Sequence, residues 1–211
     1  MSDTAADPTR SKCSTRLAPF NPTHADAQEA AIRLLELTED DVLFDLGCGD
    51  GRFLLTAAGR VRGLRCVGVE YDDKFVDRAR EALSSTFMDF NVGGKDGNHK
   101  SPTDIAERVE IRHGDVIDEL RASCNASISS NLTVRDDATA IFVYLVPNGL
   151  VKIRPLLESI MRQRRTKKGC SRRLRVVTYM FSMRGWEPIV VDRMTKGECP
   201  VYLYDESSFK R

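Results

Sequence analysis

The sequence predicts an α/β domain built on a mostly parallel sheet with helices on both faces. Three observations carry that prediction. Short apolar runs alternate with amphipathic segments along most of the chain, and such alternation implies right-handed crossovers between neighbouring parallel strands. Three glycines, Gly47, Gly49 and Gly51, crowd the junction between the first apolar run and the segment that follows it. Near the C-terminus two strand-like runs lie close together, which predicts an antiparallel pair at the edge of the sheet.

In chain order, "NPTHADAQEAAIRLLEL" opens the ordered region. Thr23 followed by Asp26 resembles a capping box, with Asp in place of Glu or Gln. Ala30, Ala31, Leu34, Leu35 and Leu37 then supply a helical apolar face. "VLFDLG" reads as a buried strand, "GRFLLTAAGRV" as a short helix, "RCVGVEY" as a second strand and "DKFVDRAREALSSTF" as a helix. "VEIRHGD" and "TAIFVYLV" are the third and fourth strands, "GLVKIRPLLESIMRQ" is a helix, and "LRVVTYMF" is the fifth strand. Pro155 should end, start or kink the helix it sits in. "EPIVVDRM" and "CPVYLYDE", joined by "TKGE", complete seven strands, with Trp186 packing the start of the terminal hairpin.

The 211 residues fit one domain with a sizeable core. Residues 1–19 lack periodicity and read as a disordered tail, leaving 20–211 as a single domain. Two polar, Gly/Ser/Asn-rich stretches, at about 87–107 and 121–137, read as surface insertions, at least partly mobile. A formal net charge of +1 gives no global argument for nucleic acid or anionic membrane as a partner. No apolar run approaches membrane-spanning length. The six cysteines contain no CxxC pair, so neither a zinc site nor a redox motif is implied. His24, His99 and His113 form no cluster, and no metal is expected. The run 162–175 holds eight basic residues and no acid. It could bind RNA, but without interleaved aromatics a solvated helix C-terminus is the favoured reading. Without a signal peptide the "NAS" and "NLT" sequons read as chance matches, and a cytoplasmic location is expected, with a mitochondrial one as the alternative.

Glycines between a strand and a helix let backbone approach a ligand at the helix N-terminus, where free N–H groups sit. The dinucleotide fingerprint G-x-G-x-x-G would need glycine at Arg52. The pattern is instead D-x-G-x-G-x-G from Asp45 to Gly51, and no G-K-[ST] of a P-loop follows. The next strand ends in "VGVEYDD", which puts Glu70 at its C-terminal tip, placed to accept both hydroxyls of a ribose. Two carboxylates beside one loop repel a pyrophosphate and suit a ligand with cationic groups.

"DLGCGDG" with "VGVEYD" resembles motif I and the acidic motif that follows it in the class I S-adenosylmethionine-dependent methyltransferases. "HGDV" (113–116) stands where that family places an aspartate near the adenine, here Asp115. "YLVPNGL" (144–150) stands where it lines the methyl-transfer cavity. The resemblance implies a Rossmann-like seven-stranded sheet and S-adenosyl-L-methionine as methyl donor, with S-adenosyl-L-homocysteine as product. It implies a cofactor site drawn from Thr23, Asp45, Gly47, Cys48, Gly49, Gly51, Glu70, Tyr71, Asp72, Gly114, Asp115, Val116 and Tyr144. Tyr144, Pro147 and Asn148, with the carbonyls around Val146, are expected to orient the acceptor. A narrower resemblance spans roughly residues 20–206. It is to the small protein-lysine methyltransferases of the ATP synthase c-subunit and the adenine nucleotide translocase, and their bacterial relatives. The chain departs from them in lacking their hydrophobic N-terminal anchor and in carrying the two insertions. A protein lysine is therefore the expected acceptor. The alternatives are RNA or a small molecule, or a non-catalytic protein that binds the cofactor. The absence of [DN]-P-P-[YF] weakens an adenine or glutamine target.

Overall fold

A computed structural model of the chain describes residues 20–85, 102–122, 132–166 and 173–209. The expected tail, most of the first insertion, the middle of the second, and part of the basic run lie outside the described residues. The strands are β1 (Val42–Leu46), β2 (Arg65–Glu70), β3 (Val109–His113), β4 (Ala140–Val143), β5 (Arg175–Tyr179), β6 (Val190–Asp192) and β7 (Val201–Tyr204). They form one sheet in the order β3-β2-β1-β4-β5-β7-β6. β1 to β5 pair in parallel, while β7 runs antiparallel to both β5 and β6. The chain starts at the centre, winds outward to β3, and returns to the other side of β1 as β4. That reversal opens a crevice beyond the C-terminal ends of β1 and β4, where open α/β sheets bind ligands.

The helices are α1 (Ala25–Leu35), α2 (Arg52–Arg60), α3 (Asp73–Ser85), α4 (Pro102–Arg108), α5 (Val116–Arg121) and α6 (Pro147–Thr166). Strand alternation explains how both faces are filled. Leu43 packs with Ala27, Ala31, Phe53 and Ala57 on one face. Phe44 and Leu46 pack with Leu120, Leu150, Ile153 and Leu157 on the other. Trp186 packs on Tyr204 and Phe209, with ring centroids 5.5 and 5.4 Å away, and donates to Glu158 at 2.8 Å.

Several local expectations are corrected. The N-cap of α1 is His24, whose side chain makes no capping bond. The Thr23–Asp26 box does not form, because the Asp26 carboxylate accepts from the backbone N–H of Lys196 and of Ala27. The hairpin loop is longer than "TKGE", running from 193 to 200 around a turn at Lys196–Glu198. Of the outcomes open at Pro155, α6 neither ends nor starts there but runs on from Pro147 to Thr166. The first insertion is helical from Pro102 onward. The second is not wholly superficial, since Thr133 and Val134 are buried. The basic run is not simply solvated either: Arg164 is buried and donates to the carbonyl of Ala138.

One polar knot ties the lower edge of the sheet together. The Asp41 carboxylate accepts from the Thr38 amide and hydroxyl at 2.8 and 2.9 Å, from the Thr139 hydroxyl at 2.6 Å and from Arg175 at 2.5 Å. Arg175 also donates to the carbonyls of Leu35 and Glu36, closing the C-terminus of α1. Burial pushes the Asp41 carboxyl upward, but the Thr139, Thr38 and Arg175 donors overcome it and hold it below its ordinary value. A depressed carboxyl stabilises the fold above its unfolded pKa, and that contribution is lost as pH falls through the folded value. Asp41→Asn should therefore destabilise the protein by about 2 kcal/mol at neutral pH. In urea titrations the gap between variant and parent should close below about pH 4.

Candidate active site

The crevice above β1 and β4 is a cavity of about 450 Å³, within the usual size of small-molecule sites. The loop after β1 forms its floor. Gly47, Gly49 and Gly51 all take positive φ, at 89°, 55° and 76°. At Gly49 a Cβ would come within 2.7 Å of the Phe20 ring, so both conformation and space demand glycine there. Gly51 caps α2, and a Cβ there would press on Ala79 of α3 at 3.1 Å. Gly51 therefore serves helix packing and does not line the cavity.

Glu70 ties this loop to the tip of β2. One of its oxygens accepts from the Gly49 amide at 2.9 Å, the other from the Tyr71 and Asp72 amides at 2.9 Å each. A carboxylate offers about four acceptor positions, so it can still accept from a sugar hydroxyl. Asp45 behaves differently. It is 3% exposed, lines the cavity, and its carboxylate makes no hydrogen bond among the described residues. Burial, then the charges of Glu70 and Asp50, push it well above the carboxylate range. An unpaired buried carboxyl aimed into a cavity fits a ligand that brings a positive charge. The lining carries six carboxylates, Asp45, Asp50, Glu70, Asp72, Asp73 and Asp115, against two cations, Arg52 and Lys74. Asp50 itself is tied to Arg52 at 2.5 Å.

The predicted site residues divide accordingly. Thr23, Asp45, Gly47, Cys48, Gly49, Glu70, Tyr71, Asp72, Asp115, Val116 and Tyr144 line the cavity. Gly51, Gly114, Pro147 and Asn148 do not. Pro147 and Asn148 open α6 and are exposed. The fixed φ of proline suits a first helical turn, where its missing N–H removes no bond. Asp115 caps α5 by accepting from the Ile117 amide at 2.7 Å. His113 contacts the Tyr71 carbonyl at 3.0 Å and Asp73 at 3.2 Å, beside the lining residues.

Sequence reasoning missed the wall supplied by residues 20–22. Phe20 stacks on Phe75 with centroids 4.1 Å apart. Asn21 donates to the Tyr144 hydroxyl at 2.7 Å, across 123 residues of sequence. Tyr144 also packs edge-on against Tyr179 at 4.7 Å. Burial raises the Tyr144 phenol above its ordinary pKa, so it holds its proton. Only the adjacency of Asn21 and Pro22 to Thr23 could have hinted at this wall.

A doubly wound sheet with an acid-lined glycine loop at its reversal defines a Rossmann-like enzyme that binds a cationic nucleoside. Comparison with known proteins makes this specific. No family model matches the chain. A protein-lysine N-methyltransferase of Saccharolobus islandicus is 30% identical over 188 residues, covering 88% of this chain and 92% of that protein. Among solved structures, an RNA methyltransferase from Salinibacter ruber, in complex with S-adenosyl-L-homocysteine, is 27% identical with a TM-score of 0.63, covering 90% of this chain and 95% of that one. A precorrin-6y C5,15-methyltransferase from Geobacter metallireducens shares the fold at 16% identity, with a TM-score of 0.50 over 86% of this chain and 87% of that one. The chain belongs to the class I S-adenosylmethionine-dependent methyltransferases. Its methyl donor is S-adenosylmethionine, and the residues present fit that donor: an orphaned carboxyl for a cation, a glycine floor and a second acid for a ribose.

Because a bound cation favours the ionised form of Asp45, the donor should bind more tightly as pH rises through the raised Asp45 pKa. Calorimetry at several pH values across that titration, in buffers of different ionisation enthalpy, should show proton release on binding. Asp45→Asn should abolish the release and weaken binding about tenfold.

Proposed function

We propose that this methyltransferase acts on the side-chain amine of lysine in a protein substrate. The observation that carries the proposal is the similarity, along nearly the whole chain, to a relative named as a protein-lysine N-methyltransferase. The charge of the cavity supports it independently. A lysine ammonium approaching Asp72, Asp73 and Asp115 is attracted, whereas an RNA phosphate would be repelled.

When bound, the donor supplies an electrophilic methyl group on a sulfonium. In this reading Glu70 and the glycine loop hold the nucleoside, and Asp45 balances the donor's positive charge. Catalysis then rests mainly on orientation and exclusion of water. Tyr144, neutral and wedged against Tyr179, forms the acceptor side of the cavity. The acceptor amine must lose a proton before it can attack, so kcat/KM should rise with pH toward the pKa of the substrate lysine.

A second reading, RNA as acceptor, draws on the similarity to the Salinibacter enzyme. Incubation with donor labelled in the methyl group, polylysine and total RNA in one tube separates the two. Label is expected in methyllysine after acid hydrolysis and should survive ribonuclease treatment. Label released by ribonuclease, with none in methyllysine, would favour RNA and reject the proposal.

A further inference from the structure

Met180 sits at the end of β5 with φ at 65°, a left-handed conformation rare for a side chain of its kind. Such strain persists only where surrounding bonds over-determine it, and it clusters at functional sites. Here the Met180 amide donates to the Pro200 carbonyl at 2.8 Å, and the next amide, Phe181, donates to the Tyr179 carbonyl at 2.8 Å. The Thr178 hydroxyl closes the turn on the Phe181 carbonyl at 2.7 Å. The result is a thioether held 3.6 Å from the Tyr144 hydroxyl, which donates to it.

That contact fixes the polarity of the neighbouring pair. With its hydrogen directed to sulfur, the Tyr144 oxygen is left as an acceptor, and Asn21 presents its NH2 to it at 2.7 Å. The Asn21 Oδ1 is thereby turned outward, and it has no partner among the described residues. Asn21 and Tyr144 both line the cavity that holds the glycine loop and Asp45. Two neutral oxygen acceptors, Asn21 Oδ1 and the second lone pair of Tyr144, thus flank its acceptor side. An amine presents N–H donors and no competing charge when neutral, so this pair matches it.

The geometry points to Asn21 as an acceptor-binding residue: its Oδ1, polarised by the Met180–Tyr144–Asn21 chain, takes a hydrogen bond from the amine to be methylated. The assignment rests on the lysine reading above only for the identity of the amine-bearing molecule. A ligand carrying an amine at the position of the transferred methyl should therefore feel Asn21, and a ligand lacking it should not.

Sinefungin, a donor analogue with an amine-bearing carbon in place of the methylsulfonium, is the probe, with S-adenosyl-L-homocysteine as the amine-free control. In calorimetric titrations Asn21→Leu should weaken sinefungin about tenfold and leave the control within about twofold. Asn21→Asp, which keeps an acceptor oxygen, should restore sinefungin binding. Asn21 is exposed, so these variants should fold; Met180→Leu, which removes the sulfur acceptor within an apolar side chain of similar size, should give a smaller loss of the same selectivity. Equal losses for both ligands, or none for either, would overturn the assignment and leave lysine methylation standing. Retained selectivity with label in RNA and not in lysine would uphold the amine site and reject the lysine proposal.

Discussion

The whole site depends on where the sheet reverses direction. β1 lies at the centre with β2 on one side and β4 on the other, so the chain must leave its C-terminal end twice in different directions. The crevice between those departures cannot be filled by the loops that create it. Three peptide amides converge on one carboxylate to keep its rim in shape, binding the β1 loop to the tip of β2 through Glu70. The glycine floor and the unpaired Asp45 both line the cleft whose rim that carboxylate ties together.

The two acids divide the electrostatic work by environment. Glu70 is satisfied by three neutral backbone donors, from the β1 loop and the tip of β2. Asp45 has burial and two like charges against it and no donor to offset them. A group in that position is destabilising for the empty protein and favourable for a complex with a cation.

Much of this was legible in the residues. The parallel strands were visible because a strand buried on both faces must be a near-continuous apolar run, as in "VLFDL" and "RCVGVE". The loop was visible because Gly49 has no alternative at its position, and Glu70 because an acid at a strand tip is out of place without a ligand. The rest depended on contacts that no local pattern encodes. Asn21 meets Tyr144 only after the central sheet and α1 are both in place. The strain at Met180 comes from bonds to Pro200 and around Thr178, far from any glycine signal. The expected capping box failed because Lys196 claimed Asp26, a competitor 170 residues away. Pro147 and Asn148 are expected in the site from the place of "YLVPNGL" in the family pattern, yet in the fold they open α6.

The wall formed by Phe20 and Asn21 stands ahead of the first helix and closes on Tyr144, just after β4, and on Phe75 of α3. During synthesis these early residues have nothing to rest on until Phe75 and Tyr144 have emerged. The cavity is therefore completed late, by a segment made before the residues it closes on. Any fusion or trimming that strains the backbone at Phe20 would leave the sheet intact while opening one side of the site to water.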